Sequence, residues 1–144
     1  MNIAPYIEHT ILNPTTTIAD VEIVCAEAKE HGFAVVCVPP LFVKKASALL
    51  TGSKVKLATV IGFPFGYSAI EAKLAEIVLA IIDGADELEM VINTSAGKNK
   101  DWQFLASEIS TIMPIIRGKG KIIKLIIECS LLTDEEIITC CDIY

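Results

Sequence analysis

Residues 85 to 93 read ADELEMVIN. Alternate side chains of a strand face opposite ways, so Leu88, Met90 and Ile92 make one oily face while Glu87, Glu89, Val91 and Asn93 make the other. Carboxylates in the middle of an apolar run are costly to bury unless they are paired, protonated or wet. A partner must face them. The natural one is Lys124, which sits inside the apolar stretch KIIKLIIEC, 121–129.

Four further stretches share the branched, apolar character of strands: YIEHTIL (6–12), FAVVCVP (33–39), VKLATVIGF (55–63) and KIIKLIIEC itself, with DELEMVIN (86–93) fourth in chain order. Between and after them lie helical patterns near 17–31, 40–51, 68–83, 101–117 and 133–144. Ser68 with Glu71 and Thr133 with Glu136 have the spacing of capping boxes, and Thr17 with Asp20 is a shorter variant. Gly32, Gly52 and Gly84 follow helical stretches as left-handed stops. Five strand-then-helix units in one domain, 1–144, imply a parallel sheet with right-handed crossovers.

Two architectures fit this order. A flavodoxin-like sheet needs five strands, in the order 2-1-3-4-5; a (β/α)8 TIM barrel needs eight units and about 250 residues, of which this chain would hold the first five. The polar faces favour the barrel. Glu8 and Thr10 share a face on the first strand, Phe33, Val35 and Cys37 on the second, Ala58 and Val60 on the third, Glu87 and Glu89 on the fourth, and Lys124 and Glu128 on the fifth. A doubly wound sheet keeps its polar residues at strand ends, whereas a barrel interior holds them on one face. The expected strand order is therefore 1-2-3-4-5. Glu89 and Lys124 are expected within ion-pair range, either as working groups or as a structural plug.

Composition narrows the partners. A net charge of −6 and a pI near 4.9 argue against nucleic acid. No apolar run reaches the length of a membrane span, and the opening MNIAPYIEHT has no leader pattern, so a cytoplasmic location is expected. Five cysteines without CxxC spacing suggest neither a disulfide framework nor a zinc site. His9 lies on the opposite strand face from Glu8 and Thr10, facing a helix, and His31 sits near a helix end; neither has the companions of a triad or a metal site. The loop NPTTT, 13–17, has no glycine and fits neither a P-loop nor a flavin-phosphate loop, and Gly62-Phe63 stands where a receiver module carries its acidic phosphoacceptor.

The segments IEHTIL, AVVCVPP, KLATVIGFPFG, GADELEMVIN and KLIIECSLLTDEEI occur in an order and spacing that resemble deoxyribose-phosphate aldolase, a class I aldolase with a (β/α)8 barrel. The resemblance covers essentially the whole chain. It implies reversible cleavage of 2-deoxy-D-ribose 5-phosphate to acetaldehyde and D-glyceraldehyde 3-phosphate through a lysine Schiff base, without metal or other cofactor. By the same resemblance Glu89 stands at the proton relay and Lys124 at a supporting charge partner. Glu8, Thr10 and Cys37 stand at substrate contacts. The Schiff-base lysine belongs to a sixth strand, which would follow Tyr144, so the 144-residue chain by itself is expected to be inactive and, with open sheet edges, to self-associate. A non-catalytic, aldolase-like binding protein is the alternative within the family.

Two departures bear on rate. The family usually carries aspartate where Glu8 and Glu89 stand, and one extra methylene displaces a carboxylate by about 1 Å, enough to cost on the order of 100-fold. Cys129-Ser130 replaces a small residue followed by glycine at the end of the fifth strand.

Overall fold

A computed structural model describes residues 2–144. Its strands are β1 (Glu8–Thr10), β2 (Val35–Val38), β3 (Lys56–Ile61), β4 (Glu87–Val91) and β5 (Ile122–Ile126). Its helices are α1 (Ile18–His31), α2 (Val43–Leu50), α3 (Ile70–Asp83), α4 (Thr94–Lys98), α5 (Trp102–Gly118) and α6 (Asp134–Ile143). All strand pairs are parallel, in the order β1-β2-β3-β4-β5. This is the barrel order, and it excludes the flavodoxin-like arrangement.

The sheet is also curled. In a flat sheet β1 and β5 would lie four spacings apart, roughly 19 Å at about 4.8 Å each, while a lysine and a glutamate laid end to end span only about 11 Å. Yet Lys124 on β5 bonds Glu8 on β1. The two strands must therefore bend toward each other around a shared interior.

Apolar residues divide between the two faces accordingly. Val36, Val38, Leu57, Ile61, Leu88 and Met90 pack outward against the helices. Val35, Cys37, Ala58 and Val60 form a smaller inner cluster, with Leu12 and Ile126 against it. Phe33 corrects the expected pattern: it precedes β2 and joins the outer cluster, edge-on to His9 and tilted against His31. Glu128 is a second correction. β5 ends at Ile126, and Glu128 turns into the left-handed region, exposed and bonded to Ser130. His9 faces α1 as expected, with Nε2 2.7 Å from the Glu27 carboxylate.

The capping boxes at Thr17 and Thr133 form with both hydrogen bonds. The one expected at Ser68 does not: α3 starts one residue later, with Ala69 as its N-cap and no side-chain cap. The loop ahead of it is anchored independently, because Thr94 Oγ1 donates to the Phe65 carbonyl and Gly66 lies flat against β4. A Cβ on Gly66 would stand 1.8 Å from the Ile92 oxygen. The structure also adds α4, capped by Asn93, inside the stretch read as the connection to α5.

Candidate active site

Four of the expected site residues meet on the concave face. Glu89 and Lys124 are direct register partners across β4 and β5, and Cys37 and Ala58 are partners across β2 and β3. Lys124 Nζ lies 2.8 Å from Glu89 Oε1 and 3.0 Å from Glu87 Oε2, and it also bonds Glu8 Oε2. Cys37 Sγ donates to Glu89 Oε2 at 3.5 Å. Thr10, one step along β1 beside Cys37, is exposed and makes no side-chain hydrogen bond among the described residues. The ammonium thus ties β1, β4 and β5 together, and the Cys37–Glu89 contact adds β2. Sequence reasoning placed Glu87 on this face but paired Lys124 with Glu89 alone.

One cation against three carboxylates leaves the cluster short of positive charge, so the acids cannot all ionise at equal cost. Burial, with hydrogen bonding to Glu89, pushes the Glu8 carboxyl up to about 7, against the pull of Lys124. Burial also presses Glu89 upward, but hydrogen bonds from Glu8 and Lys124 outweigh it and hold Glu89 below the usual carboxylate range. Lys124 is opposed by burial and overruled by its bonds to Glu8, Glu89 and Glu87, so its ammonium is held above the usual lysine range. Burial first, then the Glu89 and Glu8 charges, push the Cys37 thiol far up. The chemical result is an acid, Glu8, beside a base, Glu89, with a fixed ammonium between them. Two carboxyls driven apart in this way can pass a proton at neutral pH.

The donor atoms of Glu8, Cys37 and Glu89 lie within 4.8 Å of one another, close enough to hold a metal ion. Their chemistry fits one poorly. Lys124 already supplies the positive charge to both carboxylates, and the thiol is pushed away from the thiolate a metal requires. At the C-terminal ends of the first three strands a cavity of about 380 Å³ is lined by Leu12, Pro39, Leu41, Phe42, Val60 and Phe63, among others. Val60, the β3 register partner of Glu89, lies in this lining, whereas the side chains of the cluster itself do not.

Three residues near the site were missed from sequence. Lys73 and Glu108 are fully buried, with Lys73 Nζ 2.7 Å from Glu108 Oε1, and Glu76 accepts from the Gly62 N–H at 2.6 Å. A signal was present. Lys73 lies on the same helical stripe as Ile77 and Ala80, and Glu108 on that of Leu105, Ile112 and Ile116.

Sequential parallel strands curled around an ion cluster, with a cavity at their C-terminal ends, define a barrel-type α/β protein with an acid–base site. A family model for DeoC/LacD family aldolases matches residues 3–137. The chain is 44% identical over 144 residues to deoxyribose-phosphate aldolase of Thermoanaerobacter pseudethanolicus, covering 99% of this chain and 65% of that protein. It is 46% identical over 143 residues to the Bacillus mycoides protein of the same name, covering 99% and 64%. A tetrameric deoxyribose phosphate aldolase of Aeropyrum pernix superposes with a TM-score of 0.90 at 33% identity, covering 98% of this chain and 58% of that one. The chain belongs to the DeoC/LacD aldolase family. It spans a little under two thirds of the length of these curated relatives.

Proposed function

We propose that this chain carries the acid–base side of a deoxyribose-phosphate aldolase, which cleaves 2-deoxy-D-ribose 5-phosphate reversibly to acetaldehyde and D-glyceraldehyde 3-phosphate. The observation that carries the reading is the Lys124 cluster: an ionised Glu89, an acidic Glu8 and a permanent ammonium on the inner face of a family barrel. In this reading Glu89 relays the proton that moves when the carbon–carbon bond breaks, and Glu8 returns it. Lys124 fixes both carboxyls, while Thr10 and Cys37 touch the sugar. The lysine that forms the iminium lies on a sixth strand, beyond Tyr144.

The test is a chimera in which the remaining length of the Thermoanaerobacter pseudethanolicus relative follows Tyr144. It should cleave deoxyribose 5-phosphate and be trapped by borohydride, and Glu89→Leu should lower its turnover by about 100-fold or more. A folded chimera that forms no adduct with substrate would sink the reading.

The same proposal includes self-association and a cytoplasmic location. Among the described residues β1 and β5 are unpaired on their outer edges, and Val78, Leu79 and Ile82 are exposed along α3. Among the described residues no helix is long and apolar enough to cross a membrane. Sedimentation equilibrium should find a species heavier than 15.6 kDa.

A further inference from the structure

The buried Lys73 does not touch the Lys124 cluster, but it grips the strand that carries Glu89. β3 and β4 pair as far as Ile61 and Met90, and at Gly62 the chain leaves the sheet with φ +63°. Val91, the next residue of β4, has no register partner on β3. Its carbonyl therefore lacks a strand donor on that side, a costly loss in a buried position. Lys73 supplies the replacement, donating from Nζ to the Val91 oxygen at 2.8 Å and to Glu108 Oε1 at 2.7 Å.

Gly62 is what lets the lysine through. A Cβ there would stand 2.9 Å from Lys73 Cε, so the side chain crosses directly beneath the departing strand. One turn further along α3, Glu76 accepts from the Gly62 N–H. Two residues of one helix thus hold the ends of two adjacent strands, and Glu108 fixes the lysine from α5. Glu89 lies two residues before Val91, in contact with Cys37 from β2 and Lys124 from β5, with a carboxylate oxygen of Glu8 from β1 within 4.8 Å and Glu87 beside it on β4.

We infer that Lys73 is a positioning residue for Glu89: by taking over the Val91 carbonyl where β3 turns away, it sets the height of β4 against its neighbours and so the geometry of the carboxylate cluster. This rests on the aldolase reading only for its purpose, since the geometry can be read in the chain itself. The experiment replaces the pair by apolar groups of similar size, Lys73→Met with Glu108→Leu, and follows the glutamate side-chain carboxyls by ¹³C NMR across pH 3–10. Replacing a buried ion pair in this way is often neutral for stability.

The expected result is a cooperatively folded protein in which the Glu8 midpoint drops from about 7 toward its ordinary 4.5. The shift should be at least about half a unit, as the Glu8–Glu89 contact loosens. Glu108→Gln alone, which leaves Lys73 an acceptor and its bond to Val91, should leave the midpoint in place. An unchanged midpoint in the folded double variant overturns the inference. So does a double variant that fails to fold, because the pair would then be a requirement of the fold rather than a support for Glu89. Neither outcome depends on aldolase activity, so a failed chimera and a failed positioning role stay distinguishable.

Discussion

Two of the ion-paired lysines, Lys73 and Lys124, lie on opposite sides of one sheet, and their sites are built differently. Lys73 is fully buried between helices and strand ends, with one carboxylate and one carbonyl for partners. Lys124 is 38% exposed on the concave face and faces three carboxylates. In the first site the charges balance one to one. In the second there is an excess of acid, and burial pushes the Glu8 carboxyl up to about 7 in a place that water can reach. A dry, balanced pair holds structure in place; a wet, unbalanced cluster can move protons. Charge ratio and access, more than burial alone, separate the two.

Removing each ammonium should expose that contrast. Lys73→Met strands Glu108 in a dry site where its second oxygen already lacks a partner. Breaking such a pair costs about 3–5 kcal/mol, which in a chain of this size threatens folding outright. Lys124→Met leaves Glu8, Glu87 and Glu89 facing one another, but solvent screens part of the repulsion. The expected loss is smaller, about 2–3 kcal/mol near pH 8, or on the order of 1 M in the urea midpoint. It should shrink at pH 5, where protonation relieves the repulsion. Equal losses at pH 5 and pH 8 would show that Lys124 acts by packing instead.

The contrast also explains what could be read from sequence. Strand order and the inner polar face were legible because Glu87, Glu89 and Lys124 interrupt apolar runs at period two, which only one face of a curled sheet accommodates. Strand ends were less legible. Apolar residues continue past the last paired position, so Phe33 and Glu128 were assigned to a face that β2 and β5 never reach. Lys73 and Glu108 escaped for a related reason. A charge within a helical stripe resembles an ordinary amphipathic edge until the partner, 35 residues away, is seen. Even the register of α3 was misjudged, since a loop anchored at Phe65 and Gly66, and not the Ser68 side chain, decides where the helix begins.

A smaller effect sharpens the role of Glu8. Its folded value of about 7 lies above the 4.5 of an unperturbed glutamate, so the stability it contributes is fully present below pH 4.5 and is lost as pH rises through 7. Glu89 runs the other way: its lowered value gives stability that is lost only as pH falls below the ordinary carboxylate range. The cluster should therefore favour the fold most near pH 4.5–5 and weaken toward pH 8. Glu8→Gln removes the titration and should flatten that decline. Urea midpoints taken from pH 4.5 to 8 should fall more steeply with pH in the unaltered protein than in the Glu8→Gln variant. Parallel curves would place the proton on another group.

The smallest expected effect is none at all, and it bears most directly on what Lys124 is for. A Schiff base requires a neutral amine, because only the free lone pair attacks a carbonyl. Lys124 is held as the ammonium by Glu8, Glu89 and Glu87, and Lys73 is sealed from solvent. Neither is available as a nucleophile. The 144-residue chain, mixed with deoxyribose 5-phosphate and borohydride, should keep its intact mass and release no acetaldehyde. Lys124→Met should give the same blank result, whereas Glu8→Gln, which removes one of the groups that hold the proton, is the variant most able to free the amine. Peptide mapping that finds a reduced adduct on Lys124 in the unaltered chain would mean that the cluster activates its lysine instead of restraining it. The proposed division between a proton-relay cluster here and an iminium lysine on a later strand would then have to be abandoned.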